Sequence, residues 1–134
     1  MEKKIVSLTI CRNEKWVIGL SLRTALQWCD ACVVVDHMST DGTRDVINKI
    51  QAEAGEGRVI ISEWSDTSKW DEMQMRQHSL DLGRKAGGTH FAIVDSDEVP
   101  TANVLPHLRG WMERLKPGHL LDLPMMGGSN LQPP

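Results

Sequence analysis

No block of lysine and arginine occurs in the 134 residues, and 15 basic against 18 acidic side chains leave a formal charge of −3. A protein that grips a nucleic-acid backbone needs a concentrated basic face, so this balance argues against nucleic acid as a partner. Apolar runs are short as well: none approaches the roughly 18 residues that a membrane span requires. Met1-Glu2-Lys3-Lys4 leads into an apolar stretch that Arg12 breaks, which is not a secretory signal, and a cytoplasmic location is the expectation. Cysteine is sparse. Cys29 and Cys32 form a C-x-x-C, yet neither a second such pair nor a spaced His pair is present to complete a zinc site. A thioredoxin-type redox pair opens a helix after a strand, whereas this one closes a helix and enters a strand. Buried free thiols are the expectation for these two and for Cys11.

The familiar phosphate cradles are missing too. The first apolar run is not followed by G-x-G-x-x-G, and no G-x-x-x-x-G-K-[ST] occurs, which argues against a dinucleotide Rossmann domain and a P-loop NTPase. The five histidines form no H-x-x-x-H or H-E-x-x-H pattern, and no serine or cysteine lies in a G-x-S-x-G elbow. Internal repeats and linkers are absent.

What is present is a soluble globular composition, 40% apolar and 25% charged, in a length that suits one domain or part of one. Its apolar pattern alternates between two periods. Ile5–Ile10, Ala31–Asp36, Arg58–Glu63 and His90–Asp95 are short, nearly continuous apolar runs of the kind that form strands buried on both faces. Helical patterns fall between them. The first follows Asn13, read as an N-cap, and turns Trp16, Leu20, Leu22, Ala25 and Leu26 inward. The second follows the turn-rich Ser39-Thr40-Asp41-Gly42-Thr43, carries Val46, Ile47 and Ile50, and ends around Gly55-Glu56-Gly57. Residues 64–71 read as a loop holding Trp64 and Trp70, which are expected to serve packing first, although they sit where a sugar ring could stack. The third helix runs from about Asp71 to Lys85, with Met73, Leu80, Leu82 and Ala86 apolar, and Gly87-Gly88 stops it. A fourth, amphipathic helix follows Pro100-Thr101 to about Leu115, and His119–Leu123 is a candidate fifth strand. One domain over residues 1–126 with a flexible tail at 127–134 is predicted. The fold class is α/β: a mostly parallel sheet with helices on both faces.

In such sheets ligands bind beyond the carboxyl ends of the strands. Asp95-Ser96-Asp97-Glu98 follows the fourth run directly. Two carboxylates at i and i+2 on extended chain project to one side, close enough to share a Mg²⁺ or Mn²⁺ ion. Such ions take a few carboxylates together with water and phosphate oxygens. The competing reading is a solvated turn with an acidic helix start. Asp36, ending the second run beside His37, suits a contact to a nucleobase N–H or a ribose hydroxyl, or else caps the turn. Arg76 on the third helix could lie over a diphosphate, or be a solvated arginine.

Taken together, Ile5 to Glu14 (IVSLTICRNE), Val33 to Thr43 (VVVDHMSTDGT), Met75 to Leu82 (MRQHSLDL) and Gly88 to Val99 (GTHFAIVDSDEV) resemble, in order, the N-terminal half of glycosyltransferase family 2, whose members have the GT-A fold. The resemblance spans about residues 4 to 100. It implies a Rossmann-like nucleotide-sugar-binding half that uses Mn²⁺ or Mg²⁺. The donor would be a UDP-, GDP- or dTDP-linked sugar and the acceptor a hydroxyl of a saccharide, lipid or protein. Arg12, Asn13, Glu14 and Asp36 would contact base and ribose, and Arg76 the diphosphate or base. Asp95 would contact ribose and metal, with Ser96 beside it, and Asp97 would be the direct metal ligand.

The sequence departs from the family pattern at His37, where an acidic or small residue is common, which leaves base selectivity open. The family's catalytic base comes from a later half, so this chain is expected to be a donor-binding part, with Glu113 and Asp122 the only acids after Glu98. Two rival readings stay open. One is a non-catalytic nucleotide-binding or oligomerising module whose open sheet edge pairs with another copy. The other is a phosphoacceptor domain built on Asp36, although only Glu14 stands where that chemistry needs an acidic cluster.

Overall fold

The computed structural model describes residues 2–65 and 71–127. All seven residues of β1 (Ile5–Cys11) and all six of β2 (Ala31–Asp36) are buried, as strands in the middle of a doubly covered sheet must be. They run parallel, from Val6 opposite Ala31 to Cys11 opposite Asp36. β3 (Val59–Glu63) joins the outer side of β2 and β4 (His90–Ile93) the outer side of β1, both parallel, giving the order β3-β2-β1-β4.

The pleat of the two central strands divides the core. Ile5, Cys11, Cys32 and Val34 meet α1 (Ile18–Ala25), α2 (Thr43–Ala54) and α4 (Leu108–Glu113) through Ile18, Leu22, Ile47, Ile50, Leu108 and Met112. On the other face Val6, Leu8, Ile10, Ala31, Val33 and Val35 meet α3 (Glu72–Lys85), which delivers Met75. Helices therefore cover both faces, as the alternation predicts. Each large apolar side chain buried this way stabilises the fold by roughly 1.5–3 kcal/mol before the entropy of ordering it. At the end of α3 the chain doubles back onto the sheet with no room for a side chain. A Cβ on Gly88 would lie 2.7 Å from Phe91 Cε1 and 2.9 Å from the Gly83 carbonyl oxygen.

Several local expectations are corrected. α1 starts at Ile18 with Val17 at its cap, so Asn13 is not the N-cap, and the later start rotates Trp16 and Leu20 out to solvent while Val17 and Ile18 go in. On α3 the inward methionine is Met75, and Met73 is 82% exposed. Asp71 does cap that helix, its carboxylate accepting the Gln74 backbone N–H at 3.1 Å. The helix expected over 101–115 shrinks to a 3₁₀ turn at Leu105–His107 and α4. His119–Leu123 is not a strand. Leu120 is 96% exposed, with no strand beside it among the described residues, and the extra pairing is instead antiparallel, between β5 (Glu98–Pro100) and β6 (Met125–Gly127). Cys11, Cys29 and Cys32 are buried free thiols, as expected. Trp70, and all of the proposed tail except Gly127, lie outside the described residues. Among the described residues no helix is long and apolar enough to cross a membrane.

Candidate functional site

The chain builds β1, β2 and β3 outward in one direction, then crosses back to lay β4 on the other side of β1. Loops leaving β1 and β4 diverge at such a reversal, opening a crevice at their carboxyl ends. A cleft of about 330 Å³ lies there. It is lined by Ile10, Cys11, Arg12 and Glu14 from the end of β1, by Asp95, Ser96 and Asp97 after β4, and by Glu72 and Arg76 from the first turns of α3. A larger cleft, about 430 Å³, lies beside Thr89–Phe91 and residues 115–119 and has no carboxylate in its lining.

The acidic motif is held differently from the extended-chain expectation. β4 ends at Ile93, and Asp95–Glu98 is a tight turn in which the Glu98 N–H donates to the Asp95 carbonyl at 3.0 Å. The Asp95 N–H donates in return to Glu98 Oε1 at 3.1 Å, so the last acid of the run pins the turn. Thr9 of β1 donates to the Val94 carbonyl at 2.8 Å and fixes the turn's near end to the sheet. Arg76 then ties α3 to the turn, donating to Asp95 Oδ1 at 3.0 Å and to Glu72 Oε1 at 2.8 Å. Glu72 lines the cleft although the sequence reading passes over it. The i,i+4 spacing of Glu72 and Arg76 on one helix face is the signal that could have found it.

Across the cleft, the loops after β1 and β2 are zipped together. Asn13 sits at φ 53°, a left-handed conformation that asparagine tolerates, and its Oδ1 accepts the Thr40 N–H at 2.7 Å while its own N–H donates to Ser39 Oγ at 2.9 Å. The Glu14 N–H donates to Thr43 Oγ1 at 2.9 Å, and the Lys15 N–H to Asp41 Oδ2 at 3.2 Å. Asp36 belongs to this framework. It is 1% exposed, accepts hydrogen bonds from the Ser39 hydroxyl and from Cys11 Sγ, and has Arg44 at 3.8 Å. Burial first, and then the Asp36 charge, push the Cys11 thiol upward, so it stays a protonated donor. Of the eight residues singled out in the sequence, Arg12, Glu14, Arg76, Asp95, Ser96 and Asp97 converge on the cleft. Asn13 and Asp36 do not line it; they tie the loop after β1 to the loop after β2.

The cleft holds four carboxylates against two guanidiniums. Burial, and next the charge of Asp97, raise the Glu14 carboxyl above its usual range, while a hydrogen bond from Trp16 works against them. A carboxyl raised in the folded state binds its proton more tightly than in the unfolded chain, so its ionisation costs stability as pH rises from about 4.5 through the raised value. Glu14→Gln is therefore expected to raise the melting temperature at pH 7. The gain should vanish in scans below about pH 4, where both forms are uncharged. A Gln variant that melts below wild type at neutral pH would contradict this charge crowding.

The donor set at the turn is all oxygen. Among the described residues no group of three or more His, Cys, Asp or Glu side chains is gathered into a metal cage, and the Asp97 carboxylate takes part in no hydrogen bond or ion pair. Asp97, with the second oxygen of Asp95, fits a hard divalent cation that draws its other ligands from water and phosphate rather than from protein.

Comparison of the sequence with protein-family models and with curated proteins gave no match. Among solved structures the fold is similar to that of the mannosyltransferase PcManGT from Pyrobaculum calidifontis, solved in complex with GDP-Man and Mn²⁺. The TM-score is 0.55 at 23% identity, and the match covers 78% of this chain. It covers only 30% of the mannosyltransferase, so this chain corresponds to less than a third of that protein, and the likeness is one of fold: a Rossmann-like parallel sheet flanked by helices.

Proposed function

We propose that this chain is the donor-binding part of a metal-dependent glycosyltransferase, similar to family 2, that takes a UDP-, GDP- or dTDP-linked sugar for transfer to a hydroxyl acceptor. The observation that carries the reading is convergence. Residues from three stretches as far apart as Arg12, Arg76 and Asp97 line one crevice at the strand reversal, where α/β sheets bind nucleotides. The fold likeness to a protein holding GDP-Man and Mn²⁺ supports it.

In this reading Asp97 and Asp95 hold Mn²⁺ or Mg²⁺, which when bound takes up charge developing on the leaving diphosphate. Arg76 fixes Asp95 and Glu72, so the acidic turn is set before the ligand arrives and little ordering remains to be done on binding. The Asn13–Thr40 and Glu14–Thr43 bonds keep the wall that would face base and ribose in place. Asp36 anchors that wall. Calorimetric titration of UDP, GDP and dTDP, with and without Mn²⁺, tests the proposal: at least one should bind, and only with the metal. No binding of any of them would sink it.

One observation favours a second reading, self-association. β4 is an edge strand, Ile93 on it is 63% exposed, and an apolar cleft of about 290 Å³ runs beside it along Leu8, Met73 and Leu80. Unprotected edges of this kind recruit further strands. Light scattering should then show concentration-dependent dimers that Ile93→Lys disperses; a monomer at all concentrations would dismiss this reading.

A further inference from the structure

The two guanidiniums of the cleft are in opposite electrostatic situations. Arg76 is engaged by two carboxylates, Glu72 and Asp95. Arg12 is exposed, its Nη1 donates to Nδ1 of His37 at 3.4 Å, and among the described residues no carboxylate lies within ion-pair distance of it. His37 is buried at the end of β2, and its backbone N–H donates to the Cys11 carbonyl at 2.9 Å, so the ring is placed by the sheet and not by a loose loop. An imidazole nitrogen with its proton on the other side accepts a hydrogen bond without cancelling the donor's charge, whereas a carboxylate at the same place would form an ion pair with it. A guanidinium held this way stays available to an anion and offers a fork matched to phosphate oxygens.

We propose that His37 is a positioning residue that holds Arg12, its charge uncancelled, over the cleft, and that Arg12 is the group that takes the diphosphate. Arg76 then serves to set the acidic turn. This accounts for histidine at position 37: it is too buried to touch a ligand and acts through its neighbour. The inference rests on the donor-binding reading above for the nature of the ligand, but the anion site itself does not.

The test is calorimetry on wild type, Arg12→Ala, His37→Asn, His37→Leu and the Arg12→Ala/His37→Leu double variant, with thermal unfolding followed alongside. The probes are inorganic pyrophosphate, and UDP, GDP and dTDP with their monophosphates, all in Mn²⁺. Arg12→Ala should weaken pyrophosphate and the bound diphosphate by about tenfold or more, and the corresponding monophosphate by less. His37→Asn, which keeps an acceptor near the Nδ1 position, should bind within about twofold of wild type. His37→Leu fills the site without an acceptor and should lose several-fold, but nothing further once Arg12 is already alanine; His37→Val replaces it if the leucine variant does not fold. If a diphosphate binds and Arg12→Ala leaves it within twofold, or if the two losses simply add, the inference is overturned while the donor reading stands. If pyrophosphate binds through Arg12 and no nucleotide binds, the donor reading falls and the Arg12–His37 anion site stands. If neither binds, both are overturned.

Discussion

Asp97→Asn is expected to weaken metal-dependent nucleotide binding by about 100-fold or more without lowering the melting temperature. The size follows from removing the charged ligand that no other group of the cleft ties up or replaces, Asp95 being shared with Arg76; loss of a charged partner costs roughly 2–5 kcal/mol, and about 2.8 kcal/mol is already 100-fold. The retained stability follows from geometry. Among the described residues Asp97 makes no hydrogen bond or ion pair, and its charge crowds Glu14 and Glu98, so neutralising it removes no favourable contact. A substitution of this kind shifts stability by no more than about 0.5 kcal/mol. Asp95→Asn is a different experiment, because it also weakens the tie to Arg76 and so loosens α3 from the turn. The pair separates metal binding from cleft assembly. If Asp97→Asn binds nucleotide and Mn²⁺ as wild type does, the acidic turn is not the metal site.

The second large effect is structural. Met75→Ala should destabilise the fold by about 2–5 kcal/mol in denaturant unfolding, whereas Met73→Ala, two residues away, should change it by less than about 0.5 kcal/mol. Met75 is fully buried among Val6, Leu8, Ile10, Val33 and Val35, and it is the one methionine by which α3 grips the second face of the sheet. Arg76 is the next residue, so a cavity under Met75 also frees the guanidinium that sets Asp95. Equal stability of the two variants would mean that α3 does not pack as described.

The contrast between those two methionines shows what the sequence discloses and what it withholds. β1 and β2 are legible because a buried parallel strand needs only a local run of apolar, β-branched residues, and a mostly parallel sheet follows once four such runs alternate with helices, whereas its order β3-β2-β1-β4 does not. The face of α3 is less legible: Met73 and Met75 have the same composition, and only the rotational setting of the helix, fixed by Asp71 at its cap and by the sheet beneath, decides between them. His119–Leu123 misleads for a related reason. Its residues suit a strand, but a strand exists only where a neighbour offers hydrogen bonds, and among the described residues none lies alongside.

The site divides along the same line. The acids of residues 95–97 are found from their place after a buried run, and they do line the cleft, but their turn geometry depends on Glu98 folding back onto the Asp95 N–H. Asn13, Ser39, Asp41 and Thr43 read as caps and turns of their own segments. They instead satisfy backbone groups of the facing loop, 26 to 29 residues away in the chain, or of their own turn. Sequence spacing carries no trace of a partner that distant. His37 stands out from the family pattern as a departure, and the ring nitrogen it turns toward Arg12 is visible in the structure and not in the sequence.

The most direct measurement is a crystal of the chain grown with Mn²⁺ and whichever nucleoside diphosphate binds, with anomalous scattering recorded at the manganese edge. A single strong peak is expected about 2.0–2.6 Å from a carboxylate oxygen of Asp97, bridging it to the diphosphate at the mouth of β1 and β4. A manganese ion found elsewhere on the molecule, or a nucleotide lying outside this crevice, would contradict the account.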